Sequence, residues 1–396
     1  MLKFLYLHNI NMLGFNTKSL GSYQRTGSAV AMGKTNKINR VYNFCNNKSG
    51  NPYECTFGPL PRAVSCFPEA PYSLTGTILV VGGLGYIGSN FINHAYTVFP
   101  DLKFVVLDDG SATNSNINNI NSDIQADTDR FTNYTGNMNN TTDVTNILTD
   151  HVVDYVMVLS AWLPWQNASY SDFVSNNINS VNDFLETCRS FSGQLKHVLF
   201  QASVISLSES GFISNSCDYN DPKTYIYPSS SYISTKTCAL EIASHYNRKY
   251  KMPISVMAPA HVFGGTNQHT LDTLLSHQNR LQNNQKLIVH PYDNVNKDIW
   301  IGMPDLLDAY TLILLEGYNG KVYNLINPTQ AFTYLDTMVK IIQQLKPNED
   351  PKNWLEYTNI RSNNNPQLTS LTTRPSNLGC FTPTVELQSE INKMPL

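Results

Sequence analysis

The chain has 396 residues, 41% of them hydrophobic and 14% charged, and a net charge of −3. That composition excludes a disordered chain and leaves room for one large or two modest domains. The charge balance gives no footing for nucleic acid, and no apolar run approaches the roughly 18 residues that cross a bilayer.

Residues 1–74 lack periodicity and carry Gly and Pro breaks, as in "NPYECTFGPLPRAV", so they are expected to form an extension. Its first 53 residues hold seven Lys or Arg and no acid, the first being Glu54. A basic, acid-free leader fits a mitochondrial targeting segment, or a basic extension with no address, which would leave the chain cytoplasmic. Order is expected to begin at "TGTILVVGG", a short β-branched run suited to a buried parallel strand. Strand-like and helix-like segments then alternate: "KFVVLDD", "VVDYVMVLSA", "VNDFLETCRSF", "KHVLFQAS", "YISTKTCALEIASHYNRKY" and "PISVMAPAHVFG". Such alternation predicts a Rossmann-type, doubly wound α/β fold with a parallel sheet over residues 75–264. Residues 265–396, with "KLIVHP", "PDLLDAYTLILLEG", "KVYNLIN" and "YLDTMVKIIQQL", predict a smaller C-terminal α/β lobe for substrate. The seven cysteines form no C-x-x-C pair and read as reduced thiols. The nine histidines show no metal-ligand spacing, so no metal site is expected.

Within "ILVVGGLGYIGSNFI", Gly82, Gly85 and Gly88 stand in G-x-x-G-x-x-G spacing, after a strand and at the start of a helix. Glycine there permits a tight turn and lets a pyrophosphate approach the helix N-terminus. Asp108 ends the next strand, where a carboxylate accepts from an adenosine ribose and repels a 2′-phosphate. NAD is therefore expected in preference to NADP. Further along, Tyr232 and Lys236 lie four apart, on one face of a predicted helix. A lysine ammonium one turn away favours a tyrosinate, the form able to take a proton.

"VVGGLGYIGSNF" resembles the opening of the extended short-chain dehydrogenase/reductases, in particular the NAD-dependent nucleotide-sugar epimerase and dehydratase branch, whose first turn reads G-G-x-G-[FY]-I-G-S. The resemblance runs from about residue 76 to the C-terminus, through "KVYNLINPTQAFTYLDTMVKII" and "NLGCFTPTVELQSEI". It implies that Tyr86 and Ile87 join the glycines at the cofactor, and that Asp108 is the ribose acid of the family's L-D-N-L-S-T-G segment. Asn137 and Met138 stand where an Asp and its neighbour meet the adenine. Ala161 matches the strand end over the nicotinamide, and Asn177 matches the Asn of the family's N-x-x-G-T-x-x-L-L-E-A segment, counted among the cofactor-binding residues. Tyr232 and Lys236 would be the catalytic pair and also bind the cofactor, Lys236 at the nicotinamide ribose, with Ser203 the hydroxyl partner. A shift of two in that alignment would place Gln201 there instead, with no hydroxyl.

Val204 and Ile205 follow Ser203, where the 4,6-dehydratases carry Asp-Glu, and neither aliphatic side chain can shuttle a proton. Asp298 and Ala258 stand for two arginines of the family; Lys297 could partly replace the first as a point charge, and His261, standing for an Asn, could touch substrate. The resemblance thus implies an NAD-dependent epimerase or related oxidoreductase of a nucleotide sugar, working as a homodimer or within a larger complex. The lost arginines and the basic leader also fit a catalytically idle accessory subunit of a larger, respiratory assembly. A hydroxysteroid-type dehydrogenase shares the loop and the Tyr–Lys pair but not the C-terminal segments.

Overall fold

The computed structural model describes residues 74–163, 168–204, 230–267, 273–291, 293–294, 297–317, 319–359 and 381–395. All of them belong to one compact unit, Ala63–Leu396. The leader up to residue 73, and Ile205, lie outside the described residues. Among the described cysteines, Cys188 is a buried and Cys238 an exposed free thiol.

Seven parallel strands form the main sheet. They are β1 (Gly76–Val81), β2 (Leu102–Asp108), β3 (Phe131–Thr135), β4 (Tyr155–Val158), β5 (His197–Gln201), β6 (Ile254–Pro259) and, far along the chain, β10 (Val322–Leu325). Their order is β3-β2-β1-β4-β5-β6-β10, and all six pairings are parallel. This is the doubly wound arrangement: the chain steps outward from β1 on one side, then returns past it to build the other. The strands are buried on both faces, which is why they read as near-continuous apolar runs. Alternation sorts their side chains: Ile78, Val80, Phe104 and Val106 face one layer, and Leu79, Val81, Val105 and Leu107 the other.

The first layer holds α1 (Tyr86–Val98) and α8 (Met303–Glu316), through Phe91, Ile92, Ala95, Leu306, Tyr310 and Ile313. The opposite layer holds α3 (Thr141–Asp150), α5 (Ser180–Arg189) and α6 (Ser231–Tyr250), through Val144, Ile147, Phe184, Leu185, Ala239 and Ala243. Between β4 and α5, α4 (Tyr170–Val174) runs into a π-turn, Ser175–Asn179.

Residues beyond 264 are shared between two regions. The stretch 303–325 contributes α8 and the edge strand β10 to the main sheet. The remainder builds a smaller core around Trp300, Phe263, Ile341 and Leu387. Its parts are β7 (His261–Phe263), α7 (Thr273–Gln282), β8 (Leu287–Val289), β9 (Lys297–Gly302), β11 (Ala331–Thr333), α9 (Tyr334–Leu345), β12 (Leu355–Tyr357) and α10 (Leu387–Ile391). Asp305, at the start of α8, accepts from the backbone N–H of Thr384 at 3.0 Å and of Val385 at 2.8 Å, and so docks the C-terminal segment.

Phe184 is fully buried between the sheet and α3. Phe184→Ala should cost about 3–5 kcal/mol in urea unfolding. A loss near zero would contradict this packing.

Candidate active site

One cleft runs along the carboxyl ends of β1 to β6, crossing the point between β1 and β4 where the strand order reverses. Each strand delivers a piece of it: Gly82 to Gly88 after β1, Asp108 and Asp109 at β2, Asn137 and Met138 after β3, Leu159 to Leu163 after β4, Gln201 to Ser203 at β5, and Pro259 to Val262 at β6.

The glycine turn is shaped by its neighbours. Gly82 has φ +78°, and a β-carbon on it would lie 2.8 Å from the backbone nitrogen of Ser160 on the β4 loop. A β-carbon on Gly88 would overlap the Gly82 carbonyl and come within 2.7 Å of the Gly83 α-carbon, so this glycine lets α1 close on the turn. Gly85 differs. Within 4 Å its absent β-carbon would meet only the Gly82 carbonyl oxygen, at 3.5 Å. The room its missing side chain leaves therefore belongs to the cleft. Gly85 is also the N-cap of α1, with no side-chain cap and no acid in the first turn. The open N–H groups of α1 can therefore take an anion. No Lys or Arg is among the described residues lining the cleft, so the helix end carries that role.

Asp108 is 8% exposed at the end of β2. Its carboxylate accepts from Leu84 N–H at 3.0 Å, Gly110 N–H at 2.9 Å and the Ser115 hydroxyl at 2.7 Å. Asn137 donates its amide to Asp109 at 2.9 Å and accepts from Asn139 N–H at 3.1 Å. Met138 is buried in the core and shows an edge to the cleft. Glycines 82, 85 and 88, Tyr86, Ile87, Asp108, Asn137, Met138 and Ala161 all line one continuous wall. The turn, the helix end and the Asp108 carboxylate fit a dinucleotide.

Ser203, Tyr232 and His261 line the other end. Tyr232 and Lys236 ride on α6, whose start is capped by Ser230 accepting from Ile233 N–H at 3.2 Å. Arg248 and Lys249 lie in its last turn, where positive charge suits the helix dipole. Lys236 is 3% exposed, and its Nζ donates to the Gln201 carbonyl at 2.7 Å, tying α6 to the end of β5. Burial lowers its ammonium to about 8 and pushes the Tyr232 phenol up to about 12. Both shifts oppose a tyrosinate, so its stabilisation needs a further positive charge in the cleft. Gln201, the other candidate for the hydroxyl position, has its side chain held elsewhere: its Oε1 accepts from the Tyr310 hydroxyl at 2.7 Å.

Three expected residues stand away from the cleft wall: Lys236, whose Nζ is held at the Gln201 carbonyl, Asn177 and Lys297. Asn177 is 2% exposed and bonds to both backbone groups of Trp162, at 2.7 and 3.1 Å, and to the Thr235 hydroxyl at 3.1 Å. It clamps the β4 loop to α6, while its neighbour Asn176 reaches the cleft. Lys297 is exposed and does not line the cleft, because strand alternation sends it to the opposite face of β9 from Asp298. Asp298 itself is 1% exposed and lies 3.1 Å from His261 Nδ1. The Trp300 ring stands edge-on to His261 at 5.2 Å. Ala258 is fully buried in the sheet. Trp162, Asn176 and Ser160 are lining residues that no spacing in the sequence marked. No cluster of three or more metal-ligating side chains occurs among the described residues.

Residues 78–325 match the family described as the NAD dependent epimerase/dehydratase family. The chain belongs to that family of extended short-chain dehydrogenase/reductases, and its residues fit the cofactor for which the family is named. Among particular relatives, it is 28% identical over 274 residues to a dTDP-D-glucose 4,6-dehydratase of Dictyostelium discoideum, covering 67% of this chain and 61% of that protein. It is 21% identical over 312 residues to the human protein of the same name, covering 76% and 85%. A dTDP-glucose 4,6-dehydratase from Bacillus anthracis, solved with NAD, superposes with a TM-score of 0.67 at 20% identity, covering 81% of this chain and 95% of that one. A UDP-N-acetylglucosamine 4-epimerase from Methanobrevibacter ruminantium gives 0.66 at 19% identity, covering 81% of this chain and 97% of that one.

Lys236 carries a pH signature. Its folded value of about 8 lies below the ordinary 10.5, so the unfolded chain binds the extra proton between those limits. Its contribution to stability therefore rises with pH across that window, and is most unfavourable below 8. Lys236→Met should melt above wild type at pH 7, with the gap narrowing by pH 10. A gap that widens with pH would contradict the burial assigned here.

Proposed function

We propose that the chain is an NAD-dependent oxidoreductase of a nucleotide sugar, acting as an epimerase or keto-sugar reductase rather than as a 4,6-dehydratase. Val204 carries this choice. It stands at the first position of the Asp-Glu pair that the dehydratases carry, and is 2% exposed within the core. An aliphatic side chain packed there cannot protonate a leaving hydroxyl.

In this reading the glycine turn and the α1 N-terminus hold the diphosphate of NAD, and Asp108 its adenosine ribose. When bound, NAD supplies the hydride acceptor and the positive charge that the Tyr232 phenol lacks. Tyr232 takes the proton of the sugar hydroxyl and returns it when the ketone is reduced. Ser203 hydrogen-bonds the same oxygen. Lys236 lies one turn along α6 from Tyr232 with its Nζ held at the Gln201 carbonyl, and adds its positive charge in favour of the tyrosinate. His261, with Asp298 behind it, offers a polar group on the substrate side.

A panel of UDP-, dTDP-, GDP- and ADP-sugars with NAD+ tests this, with products read by NMR. At least one should be epimerised, or oxidised to its keto sugar in the reverse of a reductase reaction, without loss of water. Tyr232→Phe should lower that turnover about 10²–10⁴-fold while leaving NAD+ affinity within about twofold of wild type. A 4-keto-6-deoxy product would overturn the epimerase reading, and an active Tyr232→Phe the choice of base.

A further inference from the structure

We propose that the Trp162 indole is the platform on which the sugar ring of the substrate stacks. The inference rests on the reading of the cleft as the site of a nucleotide-sugar oxidoreductase. Trp162 follows β4 and lines the cleft beside the point where the strand order reverses. It is half-buried, and its ring meets Phe173 of α4 in a T-shaped contact, with centroids 6.0 Å apart and planes at 85°. Such a contact takes up one face or one edge of the indole and leaves a face over. Phe173 is its only ring partner among the described residues.

The backbone of Trp162 is clamped by a single buried amide. Its N–H donates to Asn177 Oδ1 at 2.7 Å, and its carbonyl accepts from Asn177 Nδ2 at 3.1 Å. Both backbone groups are engaged, so the indole is what this residue offers the cleft. Asn177 sits in the π-turn Ser175–Asn179, a local widening of the helix that recurs at functional sites. Its Nδ2 also donates to the Thr235 hydroxyl at 3.1 Å, whose own proton goes to the Ser231 and Tyr232 carbonyls at 2.9 and 3.0 Å. A second tie, between the Tyr170 and Ser234 hydroxyls at 3.3 Å, joins α4 to α6. The ring is thus held in a fixed relation to Tyr232, the group that meets the sugar hydroxyl in the proposed reaction. A face oriented in advance costs little ordering when the ligand arrives. The chemistry of the wall suits a sugar. No Lys or Arg is among the described residues lining the cleft, and Ala161, Leu163 and Ala202 add apolar surface to it. A pyranose is neutral, with C–H bonds on its faces and hydroxyls at its rim. An aromatic face takes the former, and Ser203 and His261 supply polar groups for the latter.

Calorimetric titration of the full chain tests this, with the chain loaded with NADH, which cannot oxidise the sugar. The probes are UDP-glucose, dTDP-glucose, GDP-mannose and ADP-glucose, each compared with its own nucleoside diphosphate, which lacks the sugar. Wild type should bind at least one nucleotide sugar about tenfold more tightly than its diphosphate. Trp162→Leu keeps an apolar side chain without an aromatic face, and should bind the two within about twofold of each other. Trp162→Phe restores a face and should recover a preference of about threefold or more. Both variants should bind NADH within about twofold of wild type. A preference in Trp162→Leu equal to that of wild type, or none in wild type, would overturn the stacking assignment and leave the nucleotide-sugar reading standing. A loss of NADH affinity in Trp162→Leu as large as the loss for the sugar would put the ring on the cofactor and overturn the assignment as well. Failure of every nucleotide sugar to bind would overturn the nucleotide-sugar reading, and the assignment with it.

Discussion

The close approach of α1 to the turn after β1 is the constraint on which the site depends. A β-carbon at position 88 would come within 2.7 Å of the Gly83 α-carbon, so any other residue pushes the helix off the strand end. With glycine there, the α1 N-terminus stays at the carboxyl edge of the sheet with its N–H groups open. Leu84 N–H then meets the Asp108 carboxylate at 3.0 Å, which locks the ends of β1 and β2 together. Asn90, one turn into the same helix, accepts from Thr266 N–H at 3.1 Å, and Tyr86 donates to the Gly264 carbonyl at 2.5 Å. One glycine contact thus bears on the α1 N-terminus, Asp108 and the first loop of the smaller core.

A second tie sets the opposite end. Lys236 reaches the Gln201 carbonyl, and Asn177 joins Trp162 to Thr235, so the β4 loop, β5 and α6 form one rigid wall. Tyr232 and Ser203 sit on that wall. The pair of shifts there, a phenol driven up and an ammonium driven down by the same burial, leaves the protein without a tyrosinate of its own. In the proposed reaction, charge brought by the cofactor would complete the machinery and couple proton transfer to cofactor occupancy.

Much of this was legible in the sequence because it rests on local pattern. The β1–turn–α1 unit, the acid ending β2, the paired faces of the parallel strands and the 231–250 helix each follow from apolar spacing and glycine placement. What escaped was decided by contacts between distant segments. Nothing in "KVYNLIN" marks it as the edge strand beside β6, because a fully buried strand looks the same in either sheet. The resemblance set Asn177 among the cofactor-binding residues, but its hydrogen bonds turn it towards Trp162 and Thr235. Lys297 and Asp298 are neighbours in sequence, and only the pleat of β9 decides which one faces His261. The Asp109–Asn137 contact, and the contact of His261 with Asp298, which stands where an arginine was expected, likewise need the ends of separate strands to meet.

The central claim is that this cleft draws a hydride from a sugar hydroxyl. Rapid mixing of the NAD+-loaded chain with nucleotide sugars, monitored by the absorbance of reduced nicotinamide, tests it most directly. The account predicts a rise in that absorbance with at least one nucleotide sugar, and none in Tyr232→Phe. A chain that holds NAD+ yet gives no rise with any of them would contradict it.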